Sequence, residues 1–152
     1  MNFEGKIDLG VPIEDAWEFL VDINKLTACL PGIEEVRQID DKTFEGTLAA
    51  TVGPISGKFN FRSTILESKP PEQMVVRTEG RDSVTKSTVH ADMKVELCKI
   101  SEEKTQMNYK ADVKINGRLA ILGDMILRAT ATLILQEFSR RLNKGLADQS
   151  AA

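Results

Sequence analysis

The side chains that most often carry catalysis are sparse in this sequence. It contains one histidine, His90, and two cysteines, Cys29 and Cys98, in unrelated segments. His90 lies between Val89 and Ala91 in an alternating segment, and the alternation predicts that it faces solvent. No Gly-x-Ser-x-Gly motif and no Cys-x2-Cys or His-x3-His spacing is present. We therefore predict no catalytic residue, no metal site and no cofactor.

Two further patterns resemble functional motifs without matching them. The segment SGKFN at 56–60 lacks the upstream glycine of a phosphate-binding P-loop, and it lies between predicted strands rather than before a helix. Paired carboxylates at 34–35, 40–41 and 102–103 fall in turns or at strand edges, where charges are normally solvated. With a net charge of −3, the chain has no basic surface that would bind nucleic acid.

Tyr109 is the one polar side chain that the pattern places among apolar neighbours. It is the only tyrosine, and it shares the inward side of its strand with Met107. A buried hydroxyl needs a hydrogen-bond partner. That partner is either part of the folded protein, such as a backbone group or a core water, or it is a bound ligand.

Length and cysteine content indicate the general class of protein. The 152 residues fit one domain with a substantial core. Two isolated cysteines favour reduced thiols, and the charged N-terminus does not resemble a secretion signal. We therefore expect a cytoplasmic protein, in peripheral contact with the inner face of the membrane at most.

The order of predicted elements indicates an α+β fold. A strand at 2–9 precedes a helix starting at Pro12 and a second short helix that Asp22 caps and that ends by Leu30. Residues 33–116 alternate with a period of two and form about six further strands, each with one apolar face. A long helix follows at about 119–145. This order predicts a curved antiparallel sheet of about seven strands around the C-terminal helix, in a domain of residues 1–146 with a frayed tail at 147–152.

The long helix carries two apolar stripes. One stripe runs through Leu119, Leu122, Ile126, Ala129 and Leu133, and the other through Leu127, Ala131, Ile134, Phe138 and Leu142. A helix that only covers a sheet needs one stripe. The second stripe would contact the short helices, a second copy of the chain in a homodimer, or a partner surface.

The centre of this helix is lined by small residues, the run ATAT at 129–132. Small residues here either pack closely against bulky strand residues such as Phe59 and Phe61, or leave a cavity for an apolar ligand. A membrane span is disfavoured because Asp124 and Arg128 would each cost about 2.5–3.5 kcal/mol at the bilayer centre.

Three segments resemble the CoxG family of carbon monoxide dehydrogenase accessory proteins, within the START-like (SRPBCC) superfamily. They are LTACLPGIEEV at 26–36, VGPISGKFNF at 52–61 and INGRLAILGDMIL at 115–127. The resemblance implies a helix-grip fold and a non-catalytic accessory protein of molybdenum-containing carbon monoxide dehydrogenases and related hydroxylases. It also implies a quinone- or lipid-like ligand. Many members continue into a C-terminal membrane anchor, whereas the given chain ends at Ala152, so we expect no stable anchoring.

We predict nine residues in the lining of the ligand cavity: Leu30, Phe61, Met93, Met107, Tyr109, Leu122, Met125, Ile126 and Ala129. Two other functions remain open at this point. START-like relatives include cyclases and hydrolases of aromatic substrates, which would need acid and base side chains inside the cavity. A scaffold that docks a partner enzyme at the membrane would instead have a filled core.

Overall fold

The computed structural model describes the backbone of residues 1–151 and the side chains of residues 1–149. The first strand and two short helices are β1 (Asn2–Leu9), α1 (Ile13–Val21) and α2 (Ile23–Ala28). Six strands follow: β2 (Ile33–Gln38), β3 (Thr43–Val52), β4 (Ile55–Lys69), β5 (Gln73–Asp82), β6 (Ser87–Ser101) and β7 (Lys104–Asn116). A connecting turn of 3-10 helix (Arg118–Leu122) then leads into α3 (Gly123–Ala151).

The strands form one seven-stranded antiparallel sheet in the order β1-β7-β6-β5-β4-β3-β2. All strands from β2 to β7 are joined to their chain neighbours, as short connections favour. The predicted α+β architecture, with two short helices after the first strand and a long helix at the end, is confirmed.

The start of α2 is fixed locally by Asp22. Its carboxylate Oδ1 accepts hydrogen bonds from the backbone N–H groups of Asn24 at 3.0 Å and Lys25 at 3.2 Å. These donors would otherwise lack partners in the first helical turn. The predicted capping role of Asp22 is therefore confirmed. Pro12 directly precedes α1 instead of being its first residue.

The predicted single helix at 119–145 is broken near its start. Gly117 and Gly123 flank the connecting turn with φ values of +89° and +84°. These left-handed conformations interrupt an α-helix and favour glycine. α3 also continues through Ala151, past the boundary predicted at residue 146 and into the predicted tail, so residues 147–151 are helical. Ala152 lies outside the described residues.

One of the two predicted stripes faces the sheet. Leu127, Phe138 and Leu142 are buried, and Leu142 has no exposed surface. On the opposite side, Met125 is 85% exposed and Leu133 is 67% exposed. The stripe through Leu127, Ala131, Ile134, Phe138 and Leu142 thus packs inward, and much of the other stripe faces solvent.

The buried core consists of two separate clusters. We call the larger one the α1 cluster; it joins α1, β1 and the end of α3, and includes Leu9, Ala16, Trp17, Met107, Phe138, Leu142 and Leu146. The smaller one, the turn cluster, consists of Val52, Phe59, Leu119 and Leu127. The two clusters hold opposite ends of α3 against the sheet.

The stretch Arg118–Gln149 is long and apolar enough to span a membrane by length and composition alone. Only 11% of its most apolar 18-residue window is buried. Core helices of soluble proteins pass the same test, and α3 contributes buried residues to both clusters. α3 is therefore packed into the fold near both ends, while most of its apolar surface is exposed.

Candidate functional site

A stretch of half-buried apolar side chains separates the two core clusters. As far as Ile65, the odd-numbered side chains of β4 face α3, because Phe59 packs in the turn cluster with Leu127. Further along the same faces of the sheet and α3, the side chains belong to neither cluster. We call this half-buried region between the sheet and α3 the central gap; its residues are Phe44, Leu48, Phe61, Ile65, Val76, Ala91, Met93 and Val113 of the sheet and Ala131 and Ile134 of α3.

The central gap exists because α3 is held at its ends. Near its start, the Arg128 guanidinium donates to the backbone oxygen of Asn2 at 3.2 Å and lies 5.3 Å from the Phe3 ring centre. Near its end, Leu142 is buried in the α1 cluster, and Arg141 donates to the backbone oxygen of Ala28 at 3.5 Å. Between these points the backbone of α3 makes few close approaches to the central strands β5 and β6.

The residues of the central gap are half-buried, so water still reaches them. A separate surface depression beside Met1 shares Val113 with the gap and has Asp124 of α3 on its rim. Another depression lies at the β2–β3 turn around Asp40 and Lys42, is open to solvent and is remote from the gap.

The wall of the central gap contains one hydrogen-bonded pair of hydroxyls. Ser63 of β4 and Thr78 of β5 are directly opposite each other, and their side-chain oxygens are 2.7 Å apart. Ser63 is 3% exposed, whereas Thr78 is half-buried. The cavity prediction omitted both residues. Ser63 interrupts the inward series Phe59, Phe61, Ile65, and that polar interruption was the signal in the sequence.

The structure places four of the nine predicted lining residues on the inner side of the sheet and a fifth, Leu30, just after α2. Phe61 and Met93 lie in the central gap. Leu30 and Tyr109 are half-buried at its border and pack against the α1 cluster, and Met107 is buried inside that cluster. Their contact with a ligand stays a prediction.

The remaining four residues lie towards the start of α3. Leu122 packs at the edge of the turn cluster. Ile126 lies on the side of α3, and its side chain is close to Gly53 of the β3–β4 turn. Met125 and Ala129 are exposed on the outer side of the helix, so their assignment to the cavity lining is corrected. The reason is the rotation of α3, in which Leu127 and its stripe face the sheet.

Tyr109 leans over the neighbouring strand. Its ring and hydroxyl lie above Gly5 of β1, where a Cβ atom would collide with them. The two residues are paired in the β1–β7 register. Tyr109 therefore covers the edge of the sheet, and its hydroxyl lies over β1, whereas the Ser63–Thr78 pair is on β4 and β5.

Charged groups near the inner face are tied into structure. Asp82 is buried and accepts hydrogen bonds from the backbone N–H groups of Lys58, Val84 and Thr85. Burial opposes its ionisation, but these hydrogen bonds outweigh burial and hold the pKa of Asp82 below its usual range. Asp82 thus stabilises the β5–β6 turn as a carboxylate. A general acid or base would need a pKa nearer neutrality.

His90 lies on the outer face of β6, as the alternation predicted. Its side chain is 40% exposed, with Nδ1 3.4 Å from Glu79 and Nε2 3.8 Å from Asp92. Arg77 also donates to Asp92 at 2.8 Å. The hydrogen bond from Arg77 lowers the pKa of Asp92, so this group forms a surface ion network on the side of the sheet away from the gap.

Comparison with known families identifies the chain. The sequence matches the carbon monoxide dehydrogenase CoxG family over residues 5–147. The chain belongs to the CoxG family. This is a family of accessory subunits of carbon monoxide dehydrogenase. A comparison with curated proteins finds no match.

Solved structures show the same START-like helix-grip fold. A conserved protein from Geobacillus kaustophilus is 24% identical, with a TM-score of 0.91 over 97% of this chain and 96% of that one. A START superfamily protein from Mycobacterium smegmatis is 11% identical, with a TM-score of 0.73 over 97% and 98%. The Zhui aromatase/cyclase from Streptomyces sp. R1128 is 14% identical, with a TM-score of 0.66 over 99% and 93%. At these identities the likeness concerns the fold.

The three segments that resemble the CoxG family shape the backbone around the site. In the described part of the chain, every glycine with positive φ falls within them: Gly32, Gly53, Gly117 and Gly123. Lys58 and Glu34 of two of these segments form an exposed ion pair at 3.4 Å. The segments determine where the chain turns at the two ends of the central gap.

Proposed function

We propose that this protein binds a hydrophobic, quinone- or lipid-like molecule in the central gap. It would do so without catalysis, as an accessory protein of a molybdenum-containing carbon monoxide dehydrogenase-type enzyme. The division of the core into two clusters carries the proposal, because it leaves apolar side chains such as Phe61, Met93 and Ile134 only half-buried. Membership of the CoxG family supports the accessory role.

Burial of these side chains by a ligand would supply the affinity. Each 100 Å² of apolar surface removed from water contributes about 2.5 kcal/mol. Most small-molecule sites are lined in this way, by apolar side chains with few polar groups among them. Affinity should therefore depend on the free width of the gap between α3 and the sheet.

Two alanines on α3 provide a matched test of this site. Ala131 faces the central gap, whereas Ala129 lies on the outer side of the same helix. We would purify the parent, Ala131→Phe and Ala129→Phe, extract each with organic solvent and quantify bound apolar molecules by mass spectrometry. Equilibrium dialysis with decylubiquinone measures the binding of a quinone directly.

Ala131→Phe should lose most of the bound material and bind decylubiquinone at least several-fold more weakly. Ala129→Phe should match the parent. A folded Ala131→Phe that retains as much ligand as the parent would show that the central gap is not the binding site. A parent that binds no apolar molecule in either assay would contradict the carrier function itself.

The enzyme alternative finds no support in the site. Among the described residues, the inner side chains that border the central gap carry no ionisable group in an acid–base arrangement. The Streptomyces aromatase/cyclase shares the fold with this chain, and it is 14% identical. We therefore propose a role in binding rather than in reaction.

We also propose that the outer stripe of α3 contacts the partner enzyme. This stripe consists of Met125, Ala129 and Leu133, and Met125 is 85% exposed; Ile121 of the connecting turn is also 83% exposed. Exposed apolar surface of this kind is a common feature of protein interfaces. Location in the cytoplasm, peripheral to the inner face of the membrane, agrees with such a contact.

Charge substitution on the outer stripe tests this contact. Met125→Glu should reduce co-purification with the molybdenum-containing hydroxylase of the same organism, whereas Ile100→Glu, at the exposed β6–β7 end, should not. Equal co-purification of both variants and the parent would contradict a contact through this stripe. Loss of self-association in Met125→Glu, measured by light scattering, would instead assign the stripe to a homodimer.

A further inference from the structure

The Ser63–Thr78 pair is a polar element in an otherwise apolar wall. Both side chains project from the concave face, since Ser63 follows Phe61 by two residues and Thr78 precedes Gly80 by two. A Cβ atom on Gly80 would approach Phe59 and Phe61, which shows that these positions share one face. The hydroxyl pair therefore lies beside Phe61, between the two core clusters.

The hydrogen-bond capacity of the pair exceeds what the protein uses. Each hydroxyl has one donor hydrogen and two acceptor lone pairs. The 2.7 Å contact between Ser63 and Thr78 consumes one donor, and it is the one hydrogen bond that these hydroxyls make among the described residues. One O–H donor is left over.

Burial decides which donor remains. Ser63 is almost fully buried, whereas Thr78, on the same face of the sheet, is half-buried. If Ser63 donates to Thr78, the buried hydroxyl is satisfied and the Thr78 O–H is directed towards the gap. Hydrogen bonds in such a chain polarise one another, which strengthens the outer donor.

We infer that Ser63 and Thr78 form a polar anchor that binds a carbonyl oxygen of the apolar ligand. Thr78 donates to the carbonyl oxygen while accepting from Ser63. The inference rests on the proposed function, and it adds which two side chains hold the carbonyl oxygen of a quinone-type ligand. An apolar body lies against Phe61 and Met93, and its carbonyl oxygen is oriented towards β5.

Two rigid probes of nearly the same shape separate the anchor from the apolar gap. Fluorenone carries a carbonyl group where fluorene carries a methylene group. Their dissociation constants would be measured by equilibrium dialysis for the parent and for the double variant Ser63→Ala/Thr78→Val. Replacing both members of a hydrogen-bonded pair by apolar groups of similar shape leaves no orphaned partner, so the fold should be retained.

The chain offers a matched control in a second hydroxyl pair. Thr51 and Ser56 are 3.2 Å apart and exposed at the β3–β4 hairpin. Thr51→Val/Ser56→Ala removes the same chemical groups outside the gap. Thr78→Ser retains both hydroxyls of the anchor and should preserve the parent behaviour even if the double variant folds poorly.

The double variant should bind fluorenone roughly three- to tenfold more weakly, as expected for one hydrogen bond, while its affinity for fluorene stays within about twofold. The control variant and Thr78→Ser should match the parent for both probes. Equal changes for the two probes, or none for either, would overturn the anchor while leaving the apolar gap intact. A parent that binds neither probe would contradict the proposed function as well.

Discussion

Replacing Ala131 by phenylalanine tests whether α3 and the sheet enclose free space. Ala131 is half-buried and faces the central gap, outside both core clusters. Close packing of the helix on bulky strand residues would leave no room for the added phenyl ring. An open gap would accept it, so the sign of the stability change distinguishes the two arrangements.

The expected magnitude follows from burial. Full burial of a phenylalanine side chain contributes about 1.5–3 kcal/mol, and a half-open site should yield roughly half of that. The lower helix propensity of phenylalanine costs about 0.5 kcal/mol. Ala131→Phe should therefore change the free energy of unfolding by roughly 0 to +1 kcal/mol. In a packed site, overpacking typically costs about 1–3 kcal/mol.

Two control alanines separate packing from propensity. Ala129→Phe carries the same helix cost on the exposed side of α3. Ala16 of α1 has no exposed surface and lies inside the α1 cluster, so Ala16→Phe reports true overpacking. Urea unfolding would be followed by far-UV circular dichroism, comparing midpoints at unchanged m values.

We expect Ala131→Phe to be at least as stable as Ala129→Phe and clearly more stable than Ala16→Phe. A midpoint for Ala131→Phe that corresponds to a loss of more than about 1 kcal/mol relative to Ala129→Phe would refute the gap. Close packing would then be the correct description of the helix–sheet contact, and the carrier function would lose its structural basis.

Two further predictions concern the attachment and charge of α3. Leu142→Ala should lower the free energy of unfolding by about 2.7–5 kcal/mol, because Leu142 is fully buried, whereas Leu133→Ala should cost less than about 1 kcal/mol. Equal losses in thermal unfolding would contradict the observed rotation of α3. Hydrogen bonds from Arg140 and Arg141 lower the pKa of Glu137 to about 2, so its stabilising effect should be complete above the ordinary carboxyl range and be lost only as the pH falls towards 2. Carboxyl-carbon NMR would detect this, and a midpoint near 4.5 would contradict the ion pairs.

The strand pattern could be read from the sequence because the sheet has one apolar face. In β7, Met107, Tyr109 and Val113 alternate with solvated residues, and the structure places them on the inner side. Asp22 likewise carries a local signal, since its carboxylate caps the residues that follow it. Such features depend on neighbours within a few residues, which is why they needed no tertiary information.

The rotation of α3 could not be derived in the same way. Both stripes are apolar, and the choice between Ala129 and Ala131 depends on how distant elements hold the helix. Arg128 attaches it to Asn2 of β1, and Leu142 packs it into the α1 cluster. Because the helix is broken at Gly123, the direction in which its side chains point cannot be extrapolated from residue 119 with a regular 3.6-residue repeat.

The Ser63–Thr78 pair could be found only from the register between β4 and β5, which the sequence does not give. Ser63 lies opposite Thr78 because the strands pair continuously from Asn60 to Ile65, before a bulge shifts the register. A displacement by one residue would have placed the two hydroxyls on different faces of the sheet. The alternation in the sequence indicated that Ser63 and Thr78 each point inward, but not that they contact each other.

Two threonines in the first half of α3, Thr130 and Thr132, have no free hydroxyl hydrogen to offer a ligand. Thr130 donates to the backbone oxygen of Ile126 at 3.0 Å, and Thr132 donates to that of Arg128 at 2.9 Å. These hydroxyl hydrogens are satisfied within the helix, as is common for threonine in helical turns. On the inner side, the helix contributes the apolar side chain of Ala131, and the opposite wall supplies the donor at Thr78. A ligand with an apolar body and a carbonyl oxygen matches both walls, whereas a hydrocarbon would leave that donor unpaired.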